Sequence, residues 1–457
     1  MTGLFLLQTA AERLAEARAG LDTPVIERLA GLLGMAVILG LAVLISWNRR
    51  AIRWRLVATG LALQALFGVI VLKTEPGRAF FRLMGDAITS LLGFQEKGAR
   101  FVFGNLVQNQ VPVGPLGPAG GIDTSAGMVA ETGAFFAFNV LPTIIFFSSL
   151  MSILYYAGVM QRVVKGIAWV MQRTLRTSGA ETLSASGNIF LGQTEAPLLI
   201  KPFVKGMTSS ELTTVMVGGF ATVAGGVLAA YVGMLSGVFP GIAGHLLAGS
   251  VMNAPAGLLI SKIIAPETGV PETAHSLDMQ VDTTDGSAIE AAANGAAQGV
   301  QLAINVAAML MAFVALVYLV DGGLGWIGGL VGWDDLSLRG LLGMALRPLA
   351  WVMGVPWGET AYVGGLIGLK TTLNEFFAYA QFAGDLGSGV VLSPRSAIIT
   401  TYALLGFANF SSIAIQIGGI GGLAPERRPD IARLGMRAMI GGNLAAFLSA
   451  TLVGMLA

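Results

Sequence analysis

The stretches Ser186-Gly-Asn-Ile-Phe-Leu-Gly-Gln-Thr-Glu-Ala-Pro197 and Gly368-Leu-Lys-Thr-Thr-Leu-Asn-Glu-Phe-Phe-Ala-Tyr379 share an unusual feature: a carboxylate, Glu195 or Glu375, in the middle of apolar sequence. Gln193 and Thr194 flank the first, Asn374 the second. The surrounding regions, 178–205 and 354–385, are too polar and too interrupted for plain membrane spans. Each is long enough for two half-helices that enter and leave on one face, so both are read as re-entrant helical hairpins. A charge at mid-membrane costs at least ~2.5 kcal/mol, and two in matched settings point to a role beyond packing.

The helices after the hairpins echo each other as well. Gly219-Phe-Ala-Thr-Val-Ala-Gly-Gly226 sits midway along 211–235, and Gly406-Phe-Ala-Asn-Phe-Ser-Ser412 midway along 397–420. Small and polar residues at mid-span let a helix unwind and free backbone groups for a ligand.

Composition supplies the setting for these segments. Of 457 residues, 54% are hydrophobic and 12% charged, with mean hydropathy +0.73, whereas a soluble domain has about 25% charged residues. That balance fits an all-α polytopic membrane protein in a lipid bilayer. The absence of cysteine excludes a disulfide scaffold and a cysteine-ligated metal. A net charge of +1 gives no sign of a nucleic-acid partner.

Eight spans are expected: Leu29–Trp47, Trp54–Leu72, 133–158, 211–235, 240–263, 291–320, 397–420 and 438–456. Arginine-rich links orient them. Arg49, Arg50, Arg53 and Arg55 join the first pair, Arg162, Lys165, Arg173 and Arg176 follow the third, and Arg427, Arg428, Arg433 and Arg437 precede the last. Such clusters stay cytoplasmic, which places both termini outside. Residues 73–130 are expected outside, with one interfacial helix, and the acidic loop 266–290 inside. The sixth span is expected to end at Asp321, before an interfacial Gly/Trp-rich stretch. On this count the hairpins enter from opposite faces, forming an inverted repeat of the kind that secondary transporters use around a midplane site. Lys201, Lys205 and Lys370 are read as interfacial or charge-balancing, His245 as a packing residue, and Trp326, Trp333, Trp351 and Trp357 as interface anchors.

Gly192-Gln-Thr-Glu-Ala-Pro197 and Gly368-x-Lys370-x-x-x-Asn374-Glu375-Phe-Phe-Ala-Tyr379 resemble the two signature motifs of the concentrative nucleoside transporter family. Ala288-Ile-Glu-Ala-Ala-Ala-Asn-Gly295, with Asn305-Val-Ala-Ala-Met-Leu310, resembles that family's long central helix. Phe377 departs from the usual Val, keeping polarity but adding bulk.

The resemblance implies a homotrimer in the bacterial inner membrane, each subunit having a scaffold and a mobile transport domain. Residues 29–160 and 291–321 would be scaffold. Residues 161–265 and 322–457 would be the two transport halves, leaving segment 1–28 without a role. The nucleobase would meet Gln193, Thr194 and Glu195, with Val227 and Phe407 against its faces. The ribose would meet Glu375, Asn409 and Ser412. Sodium would bind Asn188 and Thr222 by side chain and Leu191, Thr222 and Val223 by carbonyl, all hard oxygen donors. The implied activity is sodium-coupled symport of a nucleoside such as uridine, cytidine or adenosine by alternating access. A proton is the alternative coupling ion.

Two other classes stay open on the residues alone. One is a transporter of another polar solute. The other is a membrane-embedded hydrolase using Glu195 and Glu375 as an acid/base pair. Against the hydrolase, the chain has no H-E-x-x-H and no G-x-S-x-G, and Leu369 spoils any Walker-like reading of Gly368 to Thr371.

Overall fold

The computed structural model describes residues 25–108, 110–115, 128–133, 136–274, 285–333 and 335–456. Most of segment 1–28, part of the Gly/Pro-rich stretch 111–122, His275 and the middle of loop 266–290 lie outside these residues.

The described chain is almost entirely helical. It opens with α1 (Val25–Leu44) and α2 (Trp54–Lys73), joined by the arginine link. A 29-residue helix, α3 (Glu75–Phe103), then occupies the part of 73–130 where an interfacial helix is expected. Its Thr74 cap accepts from the Gly77 amide, and Phe80, Leu83, Phe94 and Phe101 stay exposed. A small antiparallel pair follows, β1 (Gln110–Pro112) with β2 (Val129–Glu131), in the register Val111 to Ala130.

Helices α4 (Leu141–Tyr156) and α5 (Val159–Leu175) lead into the first hairpin region. There α6 (Gly179–Gly187) ends in a turn, and the chain returns through a 3-10 segment (Ala196–Ile200) and the short α7 (Lys201–Val204). Next come α8 (Ser209–Ala221) and α9 (Gly225–Leu235), the two pieces of one broken helix, and then the intact α10 (Ile242–Ile264).

The second half repeats this order. After the 44-residue α11 (Ala288–Val331) and α12 (Leu338–Val352), a second hairpin is made by α13 (Thr360–Thr372) and α14 (Glu375–Gly387). A second broken helix follows, α15 (Pro394–Leu404) and α16 (Phe410–Leu423), and then the intact α17 (Arg428–Leu456).

Five of these helices, and α8 with α9 taken together, are long and apolar enough to cross a membrane, among the described residues. They cover six of the eight expected spans. Of the other two, the first corresponds to α1 (Val25–Leu44), and the 397–420 run is divided between α15 and α16 by a break, 405–409, longer than the 222–224 break between α8 and α9.

Two boundaries differ from the sequence reading. Helix α11 does not stop at Asp321 but runs on to Val331. Asp321 stays helical and uses its carboxylate to accept the Leu338 amide at 2.7 Å, so its charge serves the start of α12 instead of ending a span. Helix α17 begins at Arg428, ten residues before the expected span, so Arg433 and Arg437 lie on a helix rather than in a link. Asp430 pairs with Arg427 and Arg433, at 3.0 Å each, and stabilises that extra turn.

Packing separates two kinds of helix. Helices α8, α9, α10, α15 and α17 are buried over most of their length and α16 only along Ser412, Gln416, Ile420 and Gly421, whereas α11 is exposed along nearly all its length. An exposed face this apolar has lipid or another subunit as its natural partner. The part of α11 that is buried is narrow: Ala291, Gly295, Gly299 and Ala303, four residues apart, form one stripe against α4. A Cβ on Gly299 would come within 2.6 Å of the Ile145 Cα, so this stripe sets a close helix–helix approach.

The first hairpin and first broken helix start from matched caps. Ser178 and Thr208 each form a capping box with the glutamate three residues on, Glu181 and Glu211. The boxes are bonded together, the Ser178 hydroxyl donating to Glu211 at 2.6 Å. Lys262 of α10 closes the cluster, 2.6 Å from Glu181 and donating to Ser210 at 2.8 Å. This buried set fixes three helix ends relative to one another.

The two breaks meet at Gly406. Its φ is +104°, and a Cβ there would lie 2.6 Å from the Phe220 carbonyl oxygen and 2.7 Å from that of Ala221. Gly406→Ala should therefore destabilise the fold by ~1–3 kcal/mol, from overpacking and backbone strain together. Thermal unfolding in detergent against Gly418→Ala, whose Cβ would meet no neighbour within 4 Å, measures that cost above the ordinary effect of adding a methyl.

Candidate functional site

An interrupted helix leaves backbone amides and carbonyls without partners, so the site begins with how the breaks are satisfied. The two intact helices supply matching amides. Asn253 of α10 donates to the Ala221 carbonyl at 2.7 Å, at the end of α8. Asn443 of α17 donates to the Ala408 carbonyl at 2.9 Å, inside the second break. Both asparagines are buried. The sequence reading missed them, although a lone amide in an apolar helix is a signal in its own right.

The first hairpin turn lies against the first break. The Phe190 carbonyl accepts the Gly225 amide at 2.9 Å, and the Ile189 carbonyl accepts the Ser250 hydroxyl at 2.9 Å. Asn188 is fully buried, and neither its Oδ1 nor its Nδ2 has a partner. Its amide lies alongside Gly218, where an added Cβ would be 3.2 Å from Nδ2. Thr222, also buried, donates its hydroxyl proton to the Gly218 carbonyl at 2.8 Å, which leaves its oxygen lone pairs free. Asn188 and Thr222 thus converge on one residue of α8. Val223 is buried beside them, and Leu191 is half-buried at the end of the turn. A buried amide without partners beside a hydroxyl acceptor is a donor set that fits a hard cation.

The second hairpin meets the second break through charge-assisted bonds. Asn374 caps α14 by accepting the Phe377 amide at 2.8 Å, which sets Glu375 in the first turn. The two Glu375 carboxylate oxygens are divided between partners. Oε1 accepts from the Tyr231 hydroxyl at 3.1 Å and Oε2 from the Asn409 amide at 2.9 Å. Asn409 in turn caps α16, its Oδ1 accepting the Ser412 amide at 2.9 Å.

Side chains from the two halves join across the centre. Gln193 donates to the Ser412 hydroxyl at 3.1 Å and accepts from Gln416 at 3.1 Å, while Gln416 also reaches the Met216 carbonyl at 3.0 Å. Gln193, Glu375, Asn409 and Ser412 therefore form one buried polar region with Gln416 and Tyr231, two residues that sequence reasoning did not single out. Glu195 folds back on its own turn, Oε2 accepting the Gly192 amide at 3.0 Å. The Thr194 methyl faces Gly419 of α16, where a Cβ would be 2.5 Å away. Val227 is buried in α9 and Phe407 half-buried in the second break, both against the main apolar core.

Lys370 departs from the interfacial half of its sequence reading as interfacial or charge-balancing. It does not reach toward an interface but is completely buried, its ammonium donating to the carbonyls of Ala403 at 3.0 Å and Leu405 at 3.1 Å. The free carbonyls at the end of α15 draw it inward, since a cation is favoured at a helix C-terminus. Lys205 is exposed and pairs with Glu426, as an interfacial residue would.

Comparison with known families agrees with this geometry over most of the chain. Residues 33–106 match the Na+ dependent nucleoside transporter N-terminus, 137–237 a nucleoside recognition (Gate) domain, and 245–454 the Na+ dependent nucleoside transporter C-terminus. The chain belongs to the Na+-dependent nucleoside transporter family. It is a transporter and not an enzyme. Among its relatives, an uncharacterized transporter of Haemophilus influenzae is 43% identical, over 93% of this chain and 97% of that one. Sodium/nucleoside cotransporter 1 of Rattus norvegicus is 42% identical over 94% of this chain, which spans 64% of the rat protein. The solved structure of CNTnw in an inward-facing substrate-bound state is 43% identical with a TM-score of 0.82, covering 94% of this chain and 98% of that one. A CNTnw variant in an outward-facing state gives 42% identity and a TM-score of 0.85, covering 95% and 98%.

The divided carboxylate of Glu375 makes a prediction. Glu375→Gln would set an amide N–H₂ against either the Asn409 amide or the Tyr231 hydroxyl, whereas Tyr231→Phe removes only one donor. The first change should cost ~1–3 kcal/mol and the second less, because an unmatched buried donor carries the larger penalty. Thermal unfolding of the two variants in detergent, without nucleoside, ranks them.

Proposed function

We propose that the protein is a sodium-coupled nucleoside symporter that works by alternating access. The observation that carries this reading is the single buried polar region where two hairpins and two broken helices meet, with Gln193 bonded to Ser412 and Glu375 to Asn409. On this reading the network is what a nucleoside replaces. Glu375, Asn409 and Ser412 turn their donors and acceptors to the ribose hydroxyls, and Gln193, Thr194 and Glu195 turn theirs to the base edge. Val227 and Phe407 offer apolar surface to the base faces. The Glu375 carboxylate against the ribose disfavours a phosphate there, so nucleotides are disfavoured.

Sodium would bind Asn188 and Thr222 with the carbonyls of Leu191, Thr222 and Val223, next to the base subsite. One charge crossing 100 mV supplies about 2.3 kcal/mol, enough for roughly fifty-fold accumulation. The relatives' sodium dependence and the hard-oxygen character of these ligands support sodium over a proton. The exposed apolar length of α11 and the small-residue packing of α4 suit a fixed scaffold in a homotrimer, with both hairpin units as the moving part. Eight membrane segments, an inverted repeat, outside termini and a bacterial inner membrane complete the proposed architecture.

The test is labelled uridine uptake into proteoliposomes with an inward sodium gradient, an inward proton gradient, or neither. Sodium alone should drive accumulation. Proton-driven accumulation would keep the transporter and remove the sodium assignment, and no uptake of uridine, cytidine or adenosine would remove the substrate class. Asn188→Ala makes a sharper prediction, because the native side chain has no hydrogen bond to lose. The variant should unfold near the wild-type temperature without sodium, lack the sodium-induced rise in that temperature, and lose sodium-driven uptake.

A further inference from the structure

Lys370 places a positive charge at the second hairpin–helix junction, and nothing in the substrate reading uses it. Its side chain is fully buried in α13, and Nζ is held by the carbonyl oxygens of Ala403 and Leu405 at 3.0 and 3.1 Å. The Phe447 ring of α17 lies below it, 5.7 Å from centroid to Nζ. Two carbonyl oxygens and an aromatic face in a buried space form a cation site whose cation is attached by its own side chain.

The first junction is built differently. Residues 186–195 and 218–227 contain no lysine or arginine. In place of a held ammonium there is Asn188, buried with both polar atoms unpartnered, beside the free lone pairs of Thr222. Each junction brings a hairpin against a broken helix, and each needs positive charge to offset converging carbonyls. Only the second carries that charge covalently.

We propose that Lys370 is a tethered cation that does at the second junction what a free coupling ion does at the first. The second half then needs no ion of its own. The two junctions together take one free ion per cycle, bound through Asn188. Lys370 is a positioning residue: it holds the carbonyl end of α15, and through it the break from which Asn409 reaches Glu375. This inference rests on the sodium site proposed above.

The experiment follows thermal unfolding of purified protein in detergent, with sodium, methylammonium or choline chloride at constant ionic strength. Lys370→Ala should unfold well below wild type in choline. Methylammonium or sodium should restore most of that shift, since either can enter the space the ammonium leaves. Wild type and Lys370→Met should show no response to methylammonium. Failure of both cations to restore Lys370→Ala would overturn the proposal. So would a Lys370→Met protein equal to wild type in stability and uridine uptake. If Lys370→Ala does not fold, Asn188→Ala decides with Lys370 intact: it should show no sodium-induced stabilisation, and a remaining sodium response would reveal a second ion place and overturn the proposal. Absence of uridine uptake by wild type would instead remove the functional reading, and the unfolding series would still report on Lys370.

Discussion

A helix that stops inside an apolar layer strands backbone groups that no water can reach, and each unsatisfied group costs several kcal/mol there. The rest of this structure answers that constraint. Two helices break, at Thr222 to Ala224 and at Leu405 to Asn409, and the second crosses the first at Gly406. The intact helices α10 and α17 stand behind the breaks and supply one amide each, from Asn253 and Asn443. Hairpin turns cover the other side. Between them Gln193, Ser412, Gln416, Asn409 and Glu375 form the buried polar centre.

The two halves solve the same problem with different chemistry. Asn409 does double duty, capping α16 with its carbonyl and meeting Glu375 with its amide. Its counterpart in the Gly-Phe-Ala motif, Thr222, has one hydroxyl, which bonds back to Gly218 and leaves lone pairs over. Amide against carboxylate makes a closed junction, whereas hydroxyl beside an unpartnered amide makes an open one. On the proposed reading, the closed junction serves the solute and the open one an ion.

Much of this was legible in the sequence because polar residues are rare in such a chain and therefore informative. Glu195, Glu375, Thr222 and Asn409 stood out against apolar neighbours, and the helix interruptions followed from the residues around Gly219 and Gly406. Three things were not legible. The direction of Lys370 depends on which carbonyls lie free nearby, a three-dimensional fact that a snorkelling rule cannot supply. The extents of α11 and α17 depend on Asp321 and Asp430 finding partners that keep the helices intact. The partners Tyr231 and Gln416 belong to segments that read as ordinary span, and only the fold brings them to Glu375 and Gln193. The capping boxes at Ser178 and Thr208 were passed over, although glutamate three residues after Ser or Thr is a sequence signal for them.

The close contact between the breaks also bears on coupling. Gly219 has Gln193 and Gln416 against it, and Gly218, next in the chain, has Asn188. A ligand that reorients Gln193 therefore acts on the same turn of α8 that an ion at Asn188 and Thr222 would stiffen. Each occupant orders a segment that the other must otherwise order at its own entropic expense, which makes their binding mutually favourable without direct contact. On the proposed reading, coupling resides in that one turn of helix. The filled junction presents a fixed Gln193 to the solute, so the ion's binding energy is spent on ordering the solute's site.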